Sequence, residues 1–237
     1  MILYVQYRRL LISVVDEVLR GTTFKEWLPY EAGVASLVSF LESIPNTHQA
    51  YENVIRFVLG LSSGTPSSGA STSTSATVPV VAKLNFQDEK LKQSVLWLLN
   101  NNSTVHLLQA IIKSSSHDLI NDLYSFVFRN KLAEMSVDRS QCYIVEDLIK
   151  HATHREQFEL MMKELEPVFG KIWEAKTRNV ITALAEGCIK YQTKQKEFIK
   201  EMMVAFNANQ YHSSERQKLI NVLLFNNVSP PPNPLLD

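Results

Sequence analysis

The chain has 237 residues, is 45% apolar, and carries 24 basic against 24 acidic side chains for a formal charge of zero. That length is enough to bury a sizeable core, and the charge balance excludes the globally basic footprint usual in nucleic-acid binders. Glycine is scarce, at 7 residues, and the abundance of Leu, Ile, Lys, Glu, Gln and Ala points to an all-α class.

A helical pattern begins almost at residue 1. Leu10, Leu11, Val14, Val15, Val18 and Leu19 form a stripe that ends at Gly21, a helix stop. Met1 to Arg9 places its charges after its apolar residues and has no small-residue cleavage site, the wrong order for a secretory signal. No apolar run is long enough to span a bilayer, so no membrane association is expected. Helical arrays normally end in a polar outer face, and this apolar start predicts either further repeats upstream or a partner covering that end.

Phe24 and Trp27 then lead into a segment Val34 to Val38, continued by Phe40 and Leu41 at its seventh and eighth places, and a second amphipathic stretch runs from Ala50 to Leu59. From Ser62 the chain turns to Ser, Thr, Gly and Pro, with no large apolar residue until Val78, the composition of a flexible insertion. After it the three-part pattern returns. Val95 and Leu98 precede Val105 to Gln109, Ile111 and Ile112 continue it, and Leu119 to Phe128 follow. Leu132 and Met135 precede Cys142 to Glu146, continued by Leu148 and Ile149 and followed by Phe158 to Leu165. Phe169 and Ile172 precede Arg178 to Thr182, continued by Leu184 and Ala185 and followed by Phe198 to Phe206.

These last three segments start 37 and 36 residues apart, and removing an insertion of ~35 residues from the 71 between Val34 and Val105 restores the same period of ~36. The leading apolar pair stands ten and seven residues before its segment in three units but nine and six in the last, which predicts a connecting turn one residue shorter. A fixed period of this size predicts an α-solenoid of three-helix repeats. Ser214 to Phe225 lacks the leading pair and reads as a capping helix, and the tail from Ser229 to Pro234 cannot continue a helix. The expected organisation is a helical repeat region over 1–60 with an incomplete first repeat, a Ser/Thr-rich insertion over 61–83, repeats and cap over 84–228, and a Pro-rich disordered tail over 229–237.

In each repeated segment the apolar places form one helix face, while places one, two and five point the same way on another. Cys142 and Cys188 fall on apolar faces, which predicts reduced, buried thiols in an intracellular protein. His151 and His154 lie three apart without a second ligand pair, and no phosphate loop or nucleophile motif is present. No metal, cofactor or catalysis is expected. Trp27, Trp97 and Trp173 lie at or near the apolar faces of first helices, so core packing is expected of them. Between Lys171 and Lys200, seven basic residues stand against three acidic ones, an excess that suits a phosphate track or a solvated helix face alike.

A ~36-residue triple-helix unit whose middle helix carries a small or polar residue, then an aromatic or imidazole, then two apolar residues, then Gln or Glu resembles the Pumilio (PUF) RNA-binding repeat. The segments around Val105 to Gln109 and Asn179 to Glu186 are most similar to its divergent nucleolar branch, that of nucleolar protein nine. The resemblance implies that place two stacks on a base while places one and five address its edge, one base per repeat. On that pattern His106 and Tyr143 take the stacking place, Val105 with Gln109 and Cys142 with Glu146 take the edge-reading places, and Val105 has nothing to hydrogen-bond with. The last unit departs from the pattern: Asn179 replaces the ring, and Arg178 and Thr182 stand beside it, fit to touch phosphate or to stack an arginine. Val34, Ala35 and Val38 should read nothing.

The function this implies is non-catalytic binding of single-stranded or structured RNA, with small-subunit pre-ribosomal RNA and pre-ribosomal particle proteins as partners, by a monomer in the nucleus and nucleolus. The alternative is an armadillo- or HEAT-type scaffold whose concave face takes a peptide or helix, a reading that the neutral charge favours.

Overall fold

The three-part sequence pattern folds as successive three-helix repeats. The computed structural model describes residues 31–44, 49–59 and 88–205, with isolated helical positions at 12, 13, 17 and 26. The chain divides into two units, Met1–Arg129 with His151–Thr153, and Asn130–Lys150 with His154–Asp237. All regular structure among the described residues is helical.

In the first unit the described helices are α1 (Glu31–Ser43), α2 (Gln49–Val58), α3 (Glu89–Leu99), α4 (Asn102–Ser114) and α5 (His117–Leu123). Three start where a short polar side chain can satisfy the open amides of the first turn. Asp88 accepts from Lys90 N at 2.9 Å, Asn101 from Ser103 N at 3.0 Å, and Ser116 from Leu119 N at 3.4 Å. α4 packs on both α1 and α3. Leu37, Phe40 and Leu41 of α1 are buried, as are Leu107, Leu108 and Ile112 of α4, so the repeated apolar places do form the core. Tyr51 of α2 is buried with its hydroxyl 3.0 Å from Ser114 Oγ, and burial pushes its phenol up.

In the second unit α6 (Leu132–Val137), α7 (Cys142–Lys150), α8 (Arg155–Leu165), α9 (Phe169–Glu174), α10 (Arg178–Lys190) and α11 (Gln195–Ala205) follow one another, with a 3-10 turn at Glu166–Val168. α7 packs along α10, each preceded by its own short helix, α6 and α9. The link from α6 to α7 runs Asp138 to Gln141 and that from α9 to α10 only Ala175 to Thr177, the one-residue difference expected from the sequence. The leading pairs Val95 and Leu98, Leu132 and Met135, and Phe169 and Ile172 are all buried.

A threonine hydroxyl joins first to middle helix in both units. Thr104 Oγ1 donates to Leu98 O at 2.7 Å, and Thr177 Oγ1 donates to Ile172 O at 3.1 Å and Ser136 O at 2.7 Å. Each carbonyl served lies at the end of a first helix, where no amide of the same helix can reach it.

Two expectations change. Trp97 is 38% exposed on α3 and is not a core residue. The stretch Leu119 to Phe128 is not one uniform α-helix, because α5 passes into a π-helical turn at Tyr124–Phe128 closed by Arg129 N donating to Tyr124 O at 2.8 Å. The stripe from Leu10 to Leu19, the Phe24 and Trp27 pair, the 61–83 insertion, the helix over 214–225 and the Pro-rich tail lie outside the described residues, apart from the isolated positions above. No described helix is long and apolar enough to cross a membrane, and no group of three metal-binding side chains occurs among the described residues.

Candidate RNA-binding residues

The middle helices decide which side chains face out. In α7, Ile144, Val145, Leu148 and Ile149 are buried, which turns Tyr143 outward with 47% of its surface exposed. Glu146 lies one turn further on the same side. Its carboxylate is held from two directions: Lys150 Nζ donates to Oε1 at 2.6 Å and Asn179 Nδ2 of α10 donates to Oε2 at 2.8 Å. The Glu146 carboxylate in turn holds the Lys150 ammonium above its usual range. A carboxylate beside an RNA strand repels phosphates, and this pairing removes most of that repulsion while leaving lone pairs for a base donor.

Cys142 behaves differently from the expectation that it reads a base edge. It is 2% exposed, and its thiol donates to Arg139 O at 3.4 Å. Burial pushes the thiol up, so it remains protonated and inward.

On α10 the expected site residues are largely spent within the protein. Asn179, at the stacking place, gives its amide to Glu146 and also reaches Cys142 O at 3.5 Å. Thr182 Oγ1 donates back to Arg178 O at 3.2 Å. Arg178 lays its guanidinium over the Trp173 ring, 4.4 Å from the centroid. Within the second unit the fold thus brings Cys142, Glu146 and Asn179 into one hydrogen-bonded group and sets Arg178 on Trp173.

In the first unit, α4 presents His106 exposed and Gln109 half-buried, with His106 Nδ1 donating to Gln109 Oε1 at 3.0 Å. The ring at the stacking place and the amide at the edge-reading place are thereby fixed relative to each other. Val105 is buried. α1 buries Val34, exposes Ala35 and half-buries Val38, and so offers neither a ring nor a polar side chain at these places.

Lys150, which the sequence did not single out, and Trp173, of which core packing was expected and which is only half-buried beneath Arg178, take part in this chemistry. The signal for Lys150 was present, since Glu146 and Lys150 are four apart on one helix. For Trp173 the signal was its place five residues before Arg178, across a turn too short to separate them.

The sequence profile of the NOP9-like PUF repeat domain matches residues 46–232. The chain belongs to this PUF family. Pumilio homolog 23 of Arabidopsis thaliana is 29% identical over 116 residues, a match covering 45% of this chain and 15% of that relative. Two solved structures, APUM23-GGAAUUGACGG and APUM23-deletion-of-insert-region-GGAAUUGACGG, share its fold, with TM-scores of 0.67 and 0.65 at 19% and 20% identity. They cover 92% and 90% of this chain, which spans 38% of each of theirs. PUF repeats read one base per helical repeat with two or three side chains, and the side chains that this chain turns away from its core are His106 and Gln109 on α4 and Tyr143 and Glu146 on α7.

Proposed function

We propose that this PUF chain grips single-stranded RNA without catalysing its chemistry, acting in the nucleolus on small-subunit pre-ribosomal RNA within pre-ribosomal particles. The observation that carries this reading is Tyr143, a flat ring 47% exposed on a helix whose other large apolar side chains are buried, with a doubly held carboxylate one turn away. His106 with Gln109 repeats the arrangement in imidazole and amide form. The likeness to APUM23-GGAAUUGACGG, whose uridines mark a ribonucleotide sequence, supports RNA as the ligand class. The nucleolar assignment rests on the NOP9-like family description alone.

Fluorescence anisotropy with a randomised single-stranded RNA pool tests the reading, comparing wild type with a Tyr143→Ala, His106→Ala double variant. Each lost stack should cost ~1–3 kcal/mol of binding. A wild type without salt-dependent RNA binding, or a double variant that binds equally well, sinks it. The first of those outcomes would return the neutral charge to the protein-scaffold reading.

A further inference from the structure

We infer that the repeat on α10 is a backbone clamp: Arg178, stacked on Trp173, holds a phosphate of the bound strand, and this repeat holds no base. The inference rests on the RNA-binding reading above and assigns this repeat a different task from those on α4 and α7.

Of the three places of α10 that match the reading pattern, two carry side chains that are already committed. Asn179 carries no ring to stack on a base, and its amide is bonded to Glu146. Thr182 has turned its hydroxyl proton back to the Arg178 carbonyl. An edge reader at place one needs a base presented by a stack at place two, and none is presented here. Arg178 therefore meets the strand where only the sugar-phosphate chain passes.

The guanidinium suits that task. Stacking at 4.4 Å on Trp173 fixes its plane, so little side-chain freedom is left to lose on binding. Its Nε is buried with no hydrogen-bond partner, so any contact that the guanidinium makes with a strand falls to the terminal Nη groups of the fork. No carboxylate among the described residues pairs with it, and the first turn of α10 contains no acidic residue. A guanidinium oriented in this way, with no carboxylate partner among the described residues, matches the two terminal oxygens of a phosphodiester in charge and in geometry.

Salt dependence separates a phosphate contact from a base contact. The test takes the tightest RNA recovered from the pool, with its single-base substitutions, and measures wild type, Arg178→Gln and Arg178→Lys over a series of salt concentrations. Arg178→Gln should weaken binding about tenfold at low salt, reduce the slope of log K against log salt by about 0.7, and leave the ranking of the base-substituted RNAs unchanged. Arg178→Lys should keep the slope, because the charge remains. A wild type that binds RNA while Arg178→Gln keeps its slope, or reorders the base preferences, overturns this inference and leaves the RNA-binding reading standing. A wild type that binds no RNA overturns both. Equal melting of the variants and wild type excludes misfolding as the cause of a loss, and if Arg178→Gln melts early, a fall in slope for the folded Arg178→Lys overturns the assignment instead.

Discussion

Single residues set the spacing between helices in this fold, and Gly187 is the sharpest case. A Cβ built there would run into Cε2 of Phe158, so α8 and α10 approach through the missing side chain. Phe158 has no room to retreat, since it is fully buried and stacks on Tyr191 with centroids 5.3 Å apart. Gly187→Ala gains up to about 1 kcal/mol of helix propensity, but the overpacking acts the other way at about 1–3 kcal/mol or more. We expect net destabilisation, seen as a lower urea midpoint; an unchanged or raised midpoint would show that the ring moves freely. The outward positions of Tyr143 and His106 were legible in the sequence because they depend only on the phase of a helix. The partners of Glu146 and Arg178 were less so: Asn179 and Glu146 are 33 residues apart and meet only because α7 lies along α10. Cys142 is the buried thiol that its apolar face predicted and not the edge reader that its place in the repeat implied, because place one turns into the packed side here as it does for Val34 and Val105.

At the scale of elements, the period specified the middle helices among the described residues and the apolar pairs that the helices before α4, α7 and α10 bury, because each repeat poses the same packing problem to its neighbour. The details of the joints were not written in the period. The two threonine ties close helix ends through hydroxyls whose partners lie five and six residues back, and the π-helical turn after Leu123 keeps the same apolar composition as an α-helix would. The joint before α7 depends on Asp138 instead. Its Oδ1 accepts the Ser140 hydroxyl at 2.6 Å and the amides of Ser140 and Gln141 at 2.8 and 2.9 Å, and these bonds, the hydroxyl first, hold its carboxyl below the usual carboxylate range. Asp138→Ala should therefore lower stability at neutral pH by about 1 kcal/mol, a typical loss for a side chain that caps a helix start, reduced here by its exposure. Because the folded pKa is the lower one, this contribution is present above the unfolded carboxylate pKa and fades as pH falls through the folded value. Urea titrations of wild type and variant should converge in acid; a gap that stays constant down to strongly acidic pH would assign the loss to something other than the ionised carboxyl.

For the whole molecule the decisive quantity is a charge of zero, which is unusual beside an RNA-binding family assignment. Many described cations are also tied locally. Arg56 pairs with Glu52, Lys92 with Glu89, Lys150 with Glu146, Arg155 with Glu159 and Lys194 with Glu197, each within one turn of its own helix. Such pairs leave little positive potential to gather a strand from a distance, so counterion release cannot supply most of the binding. Affinity must then lean on stacked rings, which do not respond to salt, with Arg178 as one fixed ionic contact. This predicts a shallow salt dependence for the wild-type chain, a slope of log K against log salt no steeper than about −2, equivalent to at most about three phosphates at −0.7 each. Tyr143→Ala should lower affinity at every salt concentration while leaving that slope unchanged, because a ring releases no counterion. Anisotropy titrations across a tenfold range of salt would check both parts. A wild-type slope near −5 would mean that a continuous basic track carries the RNA, and the exposed rings would then be secondary to it.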